Sequence, residues 1–453
     1  MACGTTGACG GSGCAKDSDG CENSPPTASP LPASPAPNIC YKCKEVDVVK
    51  STGGLCGGCF DISLFAKFRQ AITTQDLISS TDNVLVAFSG GPCSRVALQF
   101  VHELQHKAQR NFDASKDKSC SVFGVGVAFI DETAVTSVPS HEFDTALQEM
   151  RLIVSSLAPP TKKLHIVPIQ SIFSSDSTDG RNKLDELLHT ISDATGKEDL
   201  LHHLRMMSLQ KIAFENRYNK LVLGSCSSRI ACHVLSATVK GQGYSLPADI
   251  QYIDARWEIP VVLPLRDCLS QELNLLCTLN RLKTLNTLDF PHSGINGLVS
   301  SFLTVLQEEN PARERTIVRT AEKLLPFHFN RLPEIENVDN RRRRKKQNLK
   351  PSEPISSEIF CPICYSPINK VDLEEGMSCR TEARETSWAL FGASCCPSCQ
   401  FQILPKDSLS MEEFYSNLPQ KMTGRAKDFN GDNQTRLREQ IKDCLLSDDE
   451  DGS

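Results

Sequence analysis

Residues 84–98 read VLVAFSGGPCSRVAL. An apolar run, Val84 to Phe88, leaves through Ser89-Gly90-Gly91, and an amphipathic stretch begins near Ser94. The short β-branched run predicts a buried strand, and the spacing after it predicts a helix. Glycines let a backbone turn with its N–H groups outward and approach an anion closely. A helix N-terminus adds about half a positive charge there. Ser89 and Ser94 put hydroxyls beside that pocket. An ordinary strand-to-helix turn uses Gly-Gly as readily, so local physics alone leaves phosphate cradle and plain turn level.

Further apolar, β-branched runs occur at 121–130, 164–169, 220–224 and 260–263. Amphipathic stretches lie near 94–109, 142–157, 183–194, 199–218, 228–239 and 268–283. Strands alternating with helices imply βαβ units and a parallel sheet, an α/β class. Such sheets bind ligands outside the carboxyl ends of their strands. At 131–132, Asp-Glu follows a strand run, a position that suits either a ligand-binding acid or a cap. His202-His203 reads as helix surface rather than a ligand pair.

The 453 residues are enough for two or three domains, and 40% hydrophobic with 23% charged residues is ordinary for a globular protein. A net charge of -6 excludes a whole-chain nucleic-acid footprint, though not a local basic patch. No apolar run reaches the ~18 residues of a membrane span. MACGTTGACGGSGC lacks the basic and apolar regions of a secretory signal, so a cytoplasmic location is expected.

The cysteine count of 21 is high for such a chain. Without an export signal, Cys-x-x-Cys pairs point to metal rather than disulfides. Cys40-Tyr-Lys-Cys43 and Cys56-Gly-Gly-Cys59 make two knuckles whose four thiolates complete a closed, structural tetrahedral site, with zinc the expected ion. Cys361-Pro-Ile-Cys364 and Cys396-Pro-Ser-Cys399 make a second such set across a longer gap, with Cys379 and Cys395 nearby.

Composition suggests the boundaries. Residues 1–38, rich in Gly, Ser and Pro, are expected to be a disordered tail, and Cys3, Cys9, Cys14 and Cys21 in it unstructured thiols. An N-terminal zinc-finger module and helix follow at 39–80, then an α/β domain at 81–336. A basic linker at 337–358 carries Arg341–Lys346. A C-terminal zinc-finger module spans 359–404, and a helix with an acidic tail spans 405–453. Lys67 and Arg69, on a helix beside the first module, are better placed than the linker as phosphate contacts.

LVAFSGGPCSRVAL resembles the PP-loop of the adenine-nucleotide α-hydrolase family, usually Ser-Gly-Gly-x-Asp-Ser. Ser89, Gly90, Gly91 and Ser94 match, and Cys93 stands where the family has Asp. LVLGSCSSRIACHVL at 221–235 is similar to the family's later turn, Gly-His-Asn-x-Asp-Asp. Gly224 matches, while Ser225, Cys226, Ser228 and Arg229 replace His, Asn, Asp and Asp. VVLPLRDCLSQEL at 261–273 resembles the Arg-Pro-Leu segment of tRNA-thiolating members. Losing acids at two separate turns implies a decayed catalytic site on a kept scaffold. The loop residues could still cradle pyrophosphate, but ATP cleavage is not expected.

The order of finger, degenerate loop and second finger resembles the cytoplasmic tRNA 2-thiolation protein 2 family. The resemblance covers about 39–402. It implies a role in converting wobble uridine to 2-thiouridine in tRNAs for Lys, Glu and Gln. It also implies a heterodimer with a catalytic PP-loop paralogue, and sulfur delivered by the thiocarboxylated ubiquitin-related modifier. The reaction implied is adenylation of the uridine C2 oxygen, then attack by sulfur. Active thiolases of this type carry cysteines in the middle of the fold, and residues 121–219 contain none. A noncatalytic, tRNA-binding partner is therefore expected; the alternative is an ATP-dependent tRNA sulfurtransferase with an atypical loop.

Overall fold

The computed structural model describes residues 39–115, 121–136, 138–174, 177–285, 293–310, 312–324, 359–368 and 386–426. The 1–38 tail with its four cysteines, the basic run at 341–346, Cys379 and the acidic end of the chain lie outside the described residues. The chain divides at Cys56–Gly57 into two units.

The described part of the first unit, 39–56, is a looped knuckle closed by backbone hydrogen bonds. Cys40 N–H donates to Val46 O at 2.9 Å, and Lys44 N–H donates to Cys40 O at 2.8 Å.

The second unit opens with α1 (Gly57–Gln75), whose Leu64, Phe65, Phe68 and Ile72 are buried. A sheet follows: β1 (Asn83–Ala87), β2 (Gly124–Asp131), β3 (Lys163–Pro168), β4 (Lys220–Val222), β5 (Ile253–Asp254) and β6 (Val261–Val262). Between them run α2 (Pro92–Ala114), α3 (Ser140–Ser156), α4 (Ser177–Thr190), α5 (Ala194–Glu215), α6 (Ser227–Val239) and α7 (Leu246–Asp249). Next come α8 (Ser270–Leu279), α9 (Gly294–Glu309) and α10 (Ala312–Ala321). A small antiparallel pair, β7 (Ile359–Phe360) with β8 (Pro367–Ile368), precedes α11 (Ser387–Ala393), α12 (Pro397–Gln402) and α13 (Ser408–Ser416).

The sheet order is β3-β2-β1-β4-β6-β5, with every pairing parallel except that of β5 with β6. The expected α/β class with a parallel sheet is what the chain adopts. Val84, Leu85 and Val86 are fully buried at its centre, as the unbroken apolar run requires of a strand covered on both faces. Close approach fixes a glycine in β2: a methyl at Gly126 would sit 2.0 Å from Tyr218 Oη, and that hydroxyl meets His165 Nε2 at 3.0 Å.

β1 pairs with β2 on one side and β4 on the other, and the direction of winding reverses between β1 and β4. The crevice at the carboxyl ends of these two strands is the ligand position of doubly wound folds. Among the described residues, no helix is long and apolar enough to cross a membrane.

Candidate functional site: a thiol-lined loop and two cysteine tetrads

Gly90 leaves β1 with φ +90°, a conformation that favours glycine, and Gly91 caps α2 with Pro92 at its first turn. Ser94 Oγ donates to Gly91 O at 2.9 Å and lies 3.2 Å from Ser89 Oγ. Leu285 covers the turn: its N–H donates to Gly90 O at 2.9 Å, and a methyl at Gly90 would sit 2.9 Å from Leu285 Cβ. The four loop residues are thus together, but their hydroxyls are spent on each other and on the loop itself.

The second turn touches the first. A methyl at Gly224 would lie 2.7 Å from Ser94 N and 2.8 Å from the Cys93 carbonyl carbon. The contact brings the two substituted positions face to face, and Cys93 Sγ donates to Cys226 Sγ at 3.7 Å. That hydrogen bond, with burial, pushes the Cys93 thiol up. The same bond brings Cys226 down to about 7, against burial, and the N–H groups of Arg229 and Ser228 help hold its thiolate. Cys226 caps α6, so the helix end favours that charge.

Beyond the cap, Ser227 N–H donates to Cys268 O at 2.8 Å. Ser228 Oγ donates to the Glu314 carboxylate and accepts from Ser270 N at 3.0 Å. Glu314 is buried, and burial pushes its carboxyl up against the Ser228 hydrogen bond and Arg315. An acid from α10 therefore occupies the end of α6. The sequence hid this, because 86 residues separate the partners. Asp131 Oδ1 accepts from Thr133 N at 2.9 Å within the turn that follows β2, where no helix begins, and Glu132 pairs with Arg205 at 2.8 Å. Lys67 Nζ is held by Glu272 at 2.9 Å, whereas Arg69 is exposed. His202 is exposed and His203 half-buried on α5.

Cys40, Cys43, Cys56 and Cys59 form one tetrad and Cys361, Cys364, Cys396 and Cys399 another; within each, the sulfurs lie within 4.8 Å of one another. The first knuckle of each has the same backbone. Lys44 N–H donates to Cys40 O at 2.8 Å, and Tyr365 N–H to Cys361 O at 2.9 Å. The residue after each second cysteine, Lys44 and Tyr365, has φ 59°. The second knuckle of each leads into a helix, α1 or α12.

Four thiolates at ~2.3 Å around a tetrahedral ion stand ~3.8 Å apart. Cys43 and Cys56 are 3.7 Å apart, and Cys364 and Cys396 are 3.5 Å apart. The donor set and spacing fit a single ion rather than a multi-iron cluster, which spreads its cysteines further. Cys40 is held down at about 6: burial raises it, but the N–H groups of Cys43, Cys56 and Lys42 outweigh burial. Cys361 is also held low despite burial, by thiol donors from Cys364, Cys395, Cys396 and Cys399. Cys395 Sγ also lies against Phe391 O at 3.3 Å, and of the adjacent pair it is Cys396 that belongs to the tetrad.

No family model matches the chain. The chain is 54% identical over 424 residues to cytoplasmic tRNA 2-thiolation protein 2 of Arabidopsis thaliana, covering 91% of this chain and 92% of the relative. It is 52% identical to the protein of that name in Oryza sativa subsp. indica, covering 88% and 86%, and 25% identical to that of Danio rerio, covering 68% and 71%. Among solved structures it is similar to the U34-tRNA thiolase NcsA of Methanococcus maripaludis with its 4Fe-4S cluster, at TM-score 0.48 and 18% identity, covering 63% and 88%. Identity above one half across nine-tenths of both chains places this chain in the cytoplasmic tRNA 2-thiolation protein 2 family.

Proposed function

We propose that the chain is the noncatalytic, tRNA-holding subunit of the cytoplasmic wobble-uridine 2-thiolation complex. It pairs as a heterodimer with a catalytic PP-loop paralogue, which takes sulfur from the thiocarboxylated ubiquitin-related modifier. The observation that carries the reading is the thiol pair. Where intact loops of the resembled family hold acids able to organise a metal-bound polyphosphate, this crevice holds Cys93 and Cys226 at 3.7 Å. The acid at the second turn, Glu314, is already bonded to Ser228.

Each tetrad holds one zinc ion in a structural role, supplying cross-links that a short loop cannot obtain from apolar burial. Ser89, Gly90, Gly91 and Ser94 keep the shape of a phosphate cradle without the groups that cleave ATP. Arg69 is the readier tRNA phosphate contact; Lys67 reaches phosphate only by leaving Glu272.

The test is thiolated tRNA formed from ATP and a sulfur donor by this chain, by the paralogue, and by the pair. Only the pair is expected to work, and Ser94→Ala in this chain is expected to be harmless. Activity of this chain alone, or its loss in Ser94→Ala with heterodimer and tRNA binding intact, would make the chain an ATP-dependent sulfurtransferase. Ser94→Ala is the informative change because a side chain at Gly90 collides with Leu285 whatever the loop does.

A further inference from the structure

The pair Cys93 and Cys226 is left over from the noncatalytic reading, which needs only that the acids be gone. Two thiols have met at the starts of two helices that follow neighbouring strands, 133 residues apart in the chain. Serine or alanine at either turn would serve a dead loop equally well. We infer that Cys93 and Cys226 are a modification site, a dithiol that a small peroxide converts to a disulfide joining the β1–α2 and β4–α6 turns.

The geometry sets the roles. Cys226 sits at the end of α6, where backbone N–H groups and Arg229 favour its thiolate. Cys93, its hydrogen-bond donor, is the resolving thiol. The Cys226 thiolate attacks one peroxide oxygen; the O–O bond breaks, a sulfenic acid forms and hydroxide leaves. Cys93 then attacks the Cys226 sulfur; the S–O bond breaks, the disulfide forms and the hydroxyl departs as water. Two thiols are oxidised and one hydrogen peroxide is reduced to two waters. A small dithiol reverses the bond by exchange.

The neighbours do not compete. Burial pushes Cys268 up to about 12 and Cys277 up to about 11, and Cys277 Sγ points to Pro92 O at 3.8 Å. Cys93 is 6% exposed and Cys226 fully buried, which selects a peroxide-sized oxidant over a bulky disulfide. The closed loop would take in β2, β3 and β4, so the oxidised chain resists unfolding more strongly.

The experiment treats the full, metal-loaded chain with one equivalent of hydrogen peroxide. Non-reducing peptide mapping by mass spectrometry reads the product, and a chromogenic chelator monitors metal release. The expected result is a peptide joining Cys93 to Cys226, lighter by two hydrogens, formed before metal is released and reversed by dithiothreitol. The unfolding temperature should rise by a few degrees in the wild type and not in Cys93→Ser or Cys226→Ser. Cys93→Ser should leave Cys226 as a sulfenic acid that dimedone traps. Three results would overturn the inference: both thiols staying free while the tetrads oxidise, Cys226 passing to sulfinic acid with Cys93 still present, or a cross-link from either to another cysteine. If both serine variants unfold, labelling the native chain for a Cys93–Cys226 cross-link decides the matter without them.

Discussion

At the scale of single residues, Gly224 and two carboxyls, the half-buried Asp249 and the buried Glu314, carry the sharpest consequences. Gly224 sits against backbone, Ser94 N and the Cys93 carbonyl carbon, which cannot swing aside as a side chain can. Gly224→Ala should therefore cost about 1–3 kcal/mol in urea unfolding, and an unchanged midpoint would mean that the two turns are not in contact. Asp249 and Glu314 have opposite acid responses. Burial raises Asp249, but Arg256, His233 at 2.9 Å and Ser245 at 2.7 Å hold its carboxyl well below the usual range. Its contribution is complete above the ordinary carboxylate range and disappears as pH falls through that range towards the lower folded value. Glu314 is raised, so the ionised form is the costly one, and stability falls as pH rises above the ordinary range. Asp249→Asn should lower stability at neutral pH and flatten the acid limb, whereas Glu314→Gln should be neutral or slightly stabilising there. Urea midpoints measured between mildly acidic and neutral pH separate the two; equal slopes in both variants would contradict these assignments.

At the scale of elements, legibility followed burial and sequence distance. β1 and β2 were plain in the sequence because a strand buried on both faces must be apolar throughout, and Val84–Val86 and Val127–Ala128 are. β5, two residues at the antiparallel edge, carries no such run and was not expected. The helices from α9 to α12 were also missed: α9 leaves Leu298, Phe302 and Val305 exposed, so its periodicity does not mark a buried face. The knuckles could be read because ligand spacing is local, fixed by one turn of backbone. The same spacing, Cys396-Pro-Ser-Cys399, already set the adjacent Cys395 aside. The loop residues were legible as a motif, and Cys93 and Cys226 as departures from it. Their meeting depends on β4 pairing beside β1, and the Glu314 bond to Ser228 depends on α10 folding back. Pairings of that kind leave no trace in residue order.

At the scale of the whole second unit, the C-terminal tetrad is part of one core with the sheet. Cys361, Cys396 and Cys399 belong to the same buried apolar cluster as Leu85, Ala128 and Leu221. Around it, Tyr365 stacks on Trp257 at 5.2 Å, Arg425 lies 4.5 Å over the Tyr365 ring, and Lys421 pairs with Glu258 at 2.7 Å. α12 rests against α5 closely enough that a methyl at Gly196 would strike the Gln402 carbonyl oxygen at 2.0 Å. An ion there would be a cross-link of the fold rather than an appendage, because its ligands are packed by residues that also cover the sheet. Cys364→Ser should remove one of two bound metal equivalents and destabilise the main unfolding transition by on the order of a few kcal/mol. Cys43→Ser should remove the other equivalent, and the double variant both. Metal analysis with calorimetry on the three variants gives the answer. If Cys364→Ser keeps both equivalents, the second tetrad holds no ion. If it loses one without moving the main transition, the ion is bound but does not hold this core together.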